Sequence, residues 1–480
     1  MVIDEDISFI KNYLKYPQPL VWATSDDDFS FDPKAIFNAG IQNHHIANTA
    51  YPIAHRSTIW NYRLKPDEYA DAIQASFAVN DEFCLYAHIP FCERRCGFCE
   101  YVVMDSHDEE TEAVYHQALM SELALYVAML DKRVKLGGFD IGGGTPALIQ
   151  PHRIGQLVEQ ATKAFNLQHD FSMSIETTPK IAATMPDRLA NFRSFGIDRI
   201  SMGLQMVNPK LMRQYGRDIN KVGYNRKAVD SIRKAGFNRM NLDIMYGFAS
   251  QDVEDVIKTV QYAVNLSPEY VTLYRMRYKG TKIVNESTQI HLAKVNRMYE
   301  AASALLLSER YEANPGKNTF SKVQGDSGAS AYLTKRVAHS VPYLGVGLGA
   351  QTFANNLLAY NLGAATKKME RYCDAVNRQT LPIQDLYRLP LGEGMAKMIA
   401  VSFYFGEIQL NSFQKIFGVT LQQRFPKEIA FALNHGFMQY HGDTLRLTKQ
   451  GARVFNGLVA LFYSNAVKRY LLEGGQHETL

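Results

Sequence analysis

Three cysteines fall within eight residues, Cys92, Cys96 and Cys99, and the C-x3-C-x2-C spacing lets one tight loop present three thiolates to one metal centre. Iron–sulfur clusters are usually held by four cysteines, so three on a loop leave one iron without a protein ligand and open to chemistry. Two other readings stand beside this one. A zinc site could recruit His88 as fourth ligand, since Cys3His is an established structural set, and a chance group of buried cysteines needs no metal at all. The position of the loop favours the cluster. It follows directly on an apolar run, residues 83–89, closed by Pro90, and loops at the C-terminal ends of parallel strands are where α/β folds place their active sites. The remaining cysteines, Cys84 and Cys373, read as small buried hydrophobes. An odd total of five, three of them crowded together, argues against a disulfide framework and for a reducing compartment.

Further chemistry-bearing residues punctuate the chain at strand ends. Gly142-Gly143-Gly144-Thr145-Pro146 is a glycine turn whose backbone N–H groups, unshielded by side chains, can approach a carboxylate or amine. Glu176 ends Ser174-Ile175-Glu176 and is placed to accept from ribose hydroxyls or an ammonium group; a surface acid at a strand exit is the plain alternative. Gln205, Arg217 and Asp243 interrupt apolar segments, and a buried polar group left without a partner costs about 1–3 kcal/mol, so each needs one. Leu344-Gly345-Val346-Gly347-Leu348-Gly349-Ala350-Gln351 carries a GxGxxA pattern, but no helix opening or following acid supports a dinucleotide fold. It reads instead as a loop at the barrel mouth, with Gln351 as a contact. His88, His339 and Tyr343 are candidate ligand contacts, against the default of ordinary satisfied side chains.

The elements that must position these residues alternate. Strands are expected at 83–89, 138–141, 171–175, 197–204, 240–246 and 270–276, with helices of matching length between them. About six βα units fit, fewer than the eight of a closed barrel. The expected organisation is an irregular N-terminal extension over 1–80, read as an extended arm, and an α/β barrel over 81–310. A barrel-closing loop region over 311–375 and a mainly helical, winged-helix-like C-terminal domain over 376–480 follow. Within that last unit helices are expected at 391–402, 410–417 and 422–434, then a hairpin wing. The wing has no basic recognition helix, so a packing or lid role is expected. Net charge is +4 at 480 residues with scattered Lys and Arg, which gives no support to nucleic acid as a partner. No apolar run approaches the roughly 20 residues of a membrane span. The acidic residues 1–6 lack the features of a secretory signal, and a cytoplasmic location is expected.

The cysteine spacing, the aromatic Phe98 before the third cysteine and the string Tyr86-x-His88-Ile89-Pro90-Phe91-Cys92 resemble the radical S-adenosylmethionine (SAM) superfamily, in its oxygen-independent coproporphyrinogen III oxidase-like family. The resemblance is strong over about 80–360. It implies a partial (β/α)6 radical SAM barrel and a 4Fe–4S cluster on Cys92, Cys96 and Cys99. It also implies one or two SAM molecules, cleaved reductively to methionine and a 5′-deoxyadenosyl radical. Gly143, Gly144 and Thr145 match the motif for the SAM methionine group, Glu176 the strand-three acid, and Tyr86 a residue at the first SAM. Phe98, Gln205, Arg217 and Asp243 match a second SAM or substrate pocket, and Gln351 lies in a segment near the cofactor. An electron donor of the flavodoxin or ferredoxin kind and a small-molecule substrate, a tetrapyrrole or heme, are implied as partners. Tyr101 stands where the decarboxylating branch carries a further cysteine. The substrate chemistry therefore stays divided between a porphyrin-directed oxidoreductase, a radical C-methyltransferase on another substrate, and a non-enzymatic heme chaperone. No catalytic residue is assigned.

Overall fold

The computed structural model describes residues 20–24, 30–42, 51–52, 55–104 and 108–473. The acidic run 1–6 and the aspartates of 26–28 lie outside them. Among the described residues eleven strands share one sheet, ordered β11-β10-β9-β8-β1-β2-β3-β4-β5-β6-β7. The six strands β1 (Glu82–Ile89), β2 (Lys135–Gly143), β3 (Met173–Thr177), β4 (Arg199–Gln205), β5 (Arg239–Tyr246) and β6 (Tyr270–Arg275) pair consecutively and in parallel. Each is followed by helix, from Glu109–Met129 after β1 to Leu292–Ser308 after β6. The helices start where the sequence offers a cap: Asp108 accepts from Thr111 N at 2.8 Å, and Asp252 with Asp255 forms a reciprocal capping box. This is the α/β partial barrel of six units, with β7 (Thr319–Ser321) antiparallel at one edge.

Residues 311–375 are not simply a closing loop. They supply β7, β8 (Tyr343–Val346), β9 (Gln351–Ala354) and β10 (Leu357–Asn361), together with the helix Ala331–Ala338. β8 lies parallel beside β1, and β9, β10 and β11 (Ile383–Arg388) continue antiparallel. Strands of three to five residues broken by Gly and Asn are too short for a period to be read from sequence.

Period-2 alternation decides which side chains meet the core and which meet the barrel interior. On β2, Phe139 and Ile141 join the apolar core beneath the helices, while Asp140 between them turns to the interior cavity.

The N-terminal extension does more than lead in. The helix Pro33–Gln42 and Tyr51 belong to the same core as the C-terminal unit. There Gly40 and Gly457 let two helices meet backbone to backbone, since a Cβ on Gly40 would lie 2.5 Å from that of Ala460. The C-terminal unit is helical with a three-stranded wing, β12 (Glu407–Gln409), β13 (Met438–His441) and β14 (Thr444–Leu447). The helix expected at 422–434 is broken into Leu421–Arg424 and Pro426–Asn434, because a residue before proline, here Phe425 at φ −126°, ψ 50°, is pushed out of the helical region.

One buried junction ties the first βα unit to the β8–β9 turn. Glu122 accepts from Gly347 N (2.7 Å), Asn361 Nδ2 (2.7 Å) and Tyr372 Oη (2.6 Å). Tyr115 Oη donates to the His88 carbonyl and accepts from Leu348 N. Gly347 sits at φ +101°, and a Cβ there would lie 2.6 Å from both the His88 carbonyl and Tyr115 Oη. Gly347→Ala is therefore expected to destabilise the fold by roughly 2–4 kcal/mol, read as a lower urea midpoint with unchanged slope.

Candidate active site

The cysteine loop is fixed from several sides. Cys92 N donates to Met104 O (2.9 Å), Gly97 N to Tyr215 O (2.9 Å), and Lys282 N to Gly97 O (3.0 Å). Arg95 Nη2 reaches the Cys99 carbonyl at 2.9 Å. All five cysteines are free thiols, and Cys92, Cys96 and Cys99 line one cavity of about 1040 Å³. Burial pushes the Cys92 thiol up to about 12 and raises Cys99 as well. The thiolates thus need a positive centre to hold them ionised.

Zinc is a poor candidate for that centre. Thiolates on one tetrahedral zinc sit about 2.3 Å from the metal and so close to one another, yet among the described residues no three His, Cys, Asp or Glu groups converge to hold a single ion. His88 is not available as the fourth ligand. Its Nε2 donates to Val102 O at 2.7 Å and its Nδ1 accepts from Tyr86 Oη at 3.2 Å, and burial holds the ring neutral, down to about 4. A cluster that takes each thiolate on a separate iron requires no such convergence.

The glycine turn works differently from the sequence expectation. Its N–H groups are already engaged: Gly143 N with Glu176 Oε2 (3.1 Å), Gly144 N with Ile89 O (2.8 Å) and Thr145 N with Phe91 O (2.7 Å). The glycines are required for approach to the cysteine loop, since a Cβ on Gly144 would lie 2.6 Å from Phe91 O, and Gly143 (φ +121°) packs on the His88 ring. A ligand at this turn meets carbonyls and the Glu176 carboxyl, which suits a donor such as an ammonium group. Thr145 Oγ1 lies 3.6 Å from Cys92 Sγ.

Glu176, Gln205, Arg217 and Asp243 all line the cavity, as do Tyr86, Phe98 and Gln351. Glu176 has accessible surface, but it is enclosed by protein and opens onto the cavity. Burial first and the Asp243 charge second push it up to about 8. Asp243 accepts from Ser201 Oγ (2.9 Å) and Asn241 Nδ2 (2.7 Å), and burial still holds it at about 6. Arg217 donates to Gly203 O and, at 3.7 Å, toward Cys96 Sγ. Two buried atoms here have no partner, Gln205 Oε1 and Arg217 Nε. Phe98 packs edge-on against Phe248, with centroids 5.5 Å apart. Gln351 is less free than expected: its amide accepts from Tyr343 Oη and donates to Tyr360 Oη at 3.0 Å. His339 is outside the cavity lining and faces Ser412.

Several cavity residues escaped the sequence reading. Tyr404, Phe403 and Phe455 come from the C-terminal unit, which therefore walls the chamber. Tyr101 turns its phenol into it, and Asp140, pushed up by burial to about 7, lies at the base. Asp140 did carry a signal, a lone acid between Phe139 and Ile141. The C-terminal contributors carried none.

Fold and site together define an α/β partial barrel with a three-cysteine loop at the strand ends. The family model for the radical SAM superfamily matches residues 86–263. The heme chaperone HemW of Buchnera aphidicola is 25% identical over 388 residues, 79% of this chain and 97% of that protein. The oxygen-independent coproporphyrinogen III oxidase of Synechocystis is 23% identical over 459 residues, 91% and 95% of the two chains. The solved structure of coproporphyrinogen III oxidase (HemN) from Escherichia coli, a radical SAM enzyme, shares the fold with a TM-score of 0.66 at 19% identity, covering 95% and 98%. Residues 86–263 thus carry the features of a radical SAM domain, and over most of its length the chain is similar to proteins of the coproporphyrinogen III oxidase-like family. The family's cofactors are a 4Fe–4S cluster and SAM, and the loop's chelate spacing, the glycine cradle and the unpartnered Gln205 and Arg217 atoms fit them. No helix among the described residues is long and apolar enough to cross a membrane.

Proposed function

We propose that this chain is a radical SAM enzyme acting on a tetrapyrrole-related substrate, with Cys92, Cys96 and Cys99 holding the cluster. The observation that carries the reading is the continuity of the chamber. One cavity of about 1040 Å³ runs from the cysteine loop past Glu176, Gln205, Arg217 and Asp243 to the aromatic wall of Tyr404, Phe403 and Phe455. Small-molecule sites occupy about 300–1,000 Å³, so this one is at the large end of that range. Reductive cleavage of SAM is the chemistry the cluster supplies when bound, with one electron drawn from an external carrier such as a flavodoxin or ferredoxin. The chain's own residues orient and enclose. The Gly143–Gly144 carbonyls and Glu176 Oε1 receive an ammonium group, Gln205 and Arg217 hold polar atoms beside Cys96, and the C-terminal aromatics exclude water.

A heme carrier is the second reading, favoured by the similarity to HemW. Against it, His88 is the one histidine among the described cavity-lining residues, and both its ring nitrogens are engaged.

The test is anaerobic reconstitution with SAM, dithionite and coproporphyrinogen III. Release of 5′-deoxyadenosine with loss of carboxyl groups from the porphyrinogen supports the reading; S-adenosylhomocysteine alongside it points to methyl transfer. Stoichiometric heme binding with no SAM cleavage would sink it in favour of the carrier.

A further inference from the structure

The helix Ala331–Ala338 packs against β2 and β1, and its Arg336 lines the cavity. The side chain is half-buried and lines the cavity. It lies over the Tyr343 ring, 4.0 Å from the centroid, and donates through Nη1 to Tyr332 Oη at 3.0 Å. Among the described residues it has no salt bridge, and its Nε is buried without a partner. Asp140 acts on it electrostatically without forming an ion pair; its Oδ2 is engaged by Ser330 Oγ at 2.6 Å and its Oδ1 has no partner. A partly buried cation without a directly paired anion is costly.

The direction of the neighbouring hydrogen bonds shows what the lobe offers. Tyr343 Oη donates to Gln351 Oε1, and Gln351 Nε2 donates to Tyr360 Oη, so the Tyr360 proton is left over. Tyr332 Oη accepts from Arg336, so its proton is left over too. Both phenols line the same cavity as Arg336. A guanidinium edge and two phenolic O–H donors, with an aromatic floor beneath the cation, form a donor set that complements a carboxylate.

We propose that Arg336, Tyr332 and Tyr360 form a carboxylate-binding subsite of the chamber. The inference deepens the proposed function and rests on it for the ligand's identity. The carboxylate comes from an acidic side chain of the tetrapyrrole or from the methionyl group of SAM, and the two sources separate experimentally. The reconstituted full chain and its Arg336→Met and Arg336→Lys variants are titrated anaerobically with coproporphyrin III, with the tetra-amide of that porphyrin, and with SAM. Circular dichroism and iron content serve as checks on fold and loading.

Wild type is expected to bind the acid at least tenfold more tightly than the amide. Arg336→Met should lose that preference, Arg336→Lys should regain part of it, and SAM affinity should stay unchanged. A fall in SAM affinity with the porphyrin preference intact assigns the subsite to SAM. If Arg336→Met matches wild type for both ligands, or wild type shows neither the acid preference nor a dependence of SAM binding on Arg336, the subsite does not exist. These are binding readouts, so absence of 5′-deoxyadenosine would overturn the radical reading without deciding this one.

Discussion

Cys96→Ala is expected to bring iron content and visible absorbance of the reconstituted protein close to background, and to lower 5′-deoxyadenosine formation by about a thousandfold or more. Cys96 is the most buried of the three loop thiols and the one facing Arg217, whose Nη1 lies 3.7 Å from its sulfur. Removing it leaves two thiols, and burial opposes ionisation of both. Losing a second-shell partner of a metal ligand costs about 10–100-fold; losing a ligand from a set already one short of four costs more. The Cys373→Ala variant gives the contrast. Cys373 is buried in the helix Glu370–Asn377 away from the cavity lining, so the variant should keep its iron and its SAM cleavage. Equal iron in Cys96→Ala and wild type, or loss in Cys373→Ala, would contradict the assignment of the cluster to the loop.

What could be read from the chain and what could not divide along physical lines. The strands β1 to β6 were legible because each is an apolar run ended by Gly, Pro or a lone polar residue, and the cysteines because three thiols in eight residues have few other uses. The role of the glycine turn was half legible. That glycines are needed there follows from the sequence, but which backbone groups stay free depends on the register of β2 against β1, where Ile89 pairs with Gly143. The N-terminal helix Pro33–Gln42 was missed because its apolar face is completed by residues some 420 positions later, at Gly457 and Ala460. Arg336 was invisible for the same reason. On its own helix it is an unremarkable basic residue, and its meaning comes from Tyr343, Tyr360 and the cavity they share. Local pattern thus reports the scaffold and the chelating loop, whereas the substrate end of the chamber is assembled from the far half of the chain.

SAM binding is expected to tighten as pH rises from 6 to about 7.5, by up to about tenfold per pH unit, and Glu176→Gln to lose most of that dependence. Burial and then the Asp243 charge hold the Glu176 carboxyl up at about 8, against the Gly143 N–H that favours its ionised form. At pH 7 the group is mostly protonated. An ammonium or sulfonium ligand placed against it favours the carboxylate, so binding releases a proton and gains from rising pH until the free-site value is reached. The window closes a little earlier because an α-amino group itself titrates at about 7.7–8.0. Asp243, held at about 6, leaves a smaller residual slope at the acidic end. The stability of the ligand-free protein runs the opposite way. A carboxyl whose folded value is raised contributes stability that is complete below its unfolded value and is lost as pH climbs through about 8. Glu176→Gln, neutral throughout, should therefore melt higher than wild type at pH 8 while binding SAM more weakly. Calorimetric titration across pH, paired with thermal melts of the same samples, measures both. A flat wild-type profile, or a variant that keeps the wild-type slope, would remove Glu176 from the SAM site.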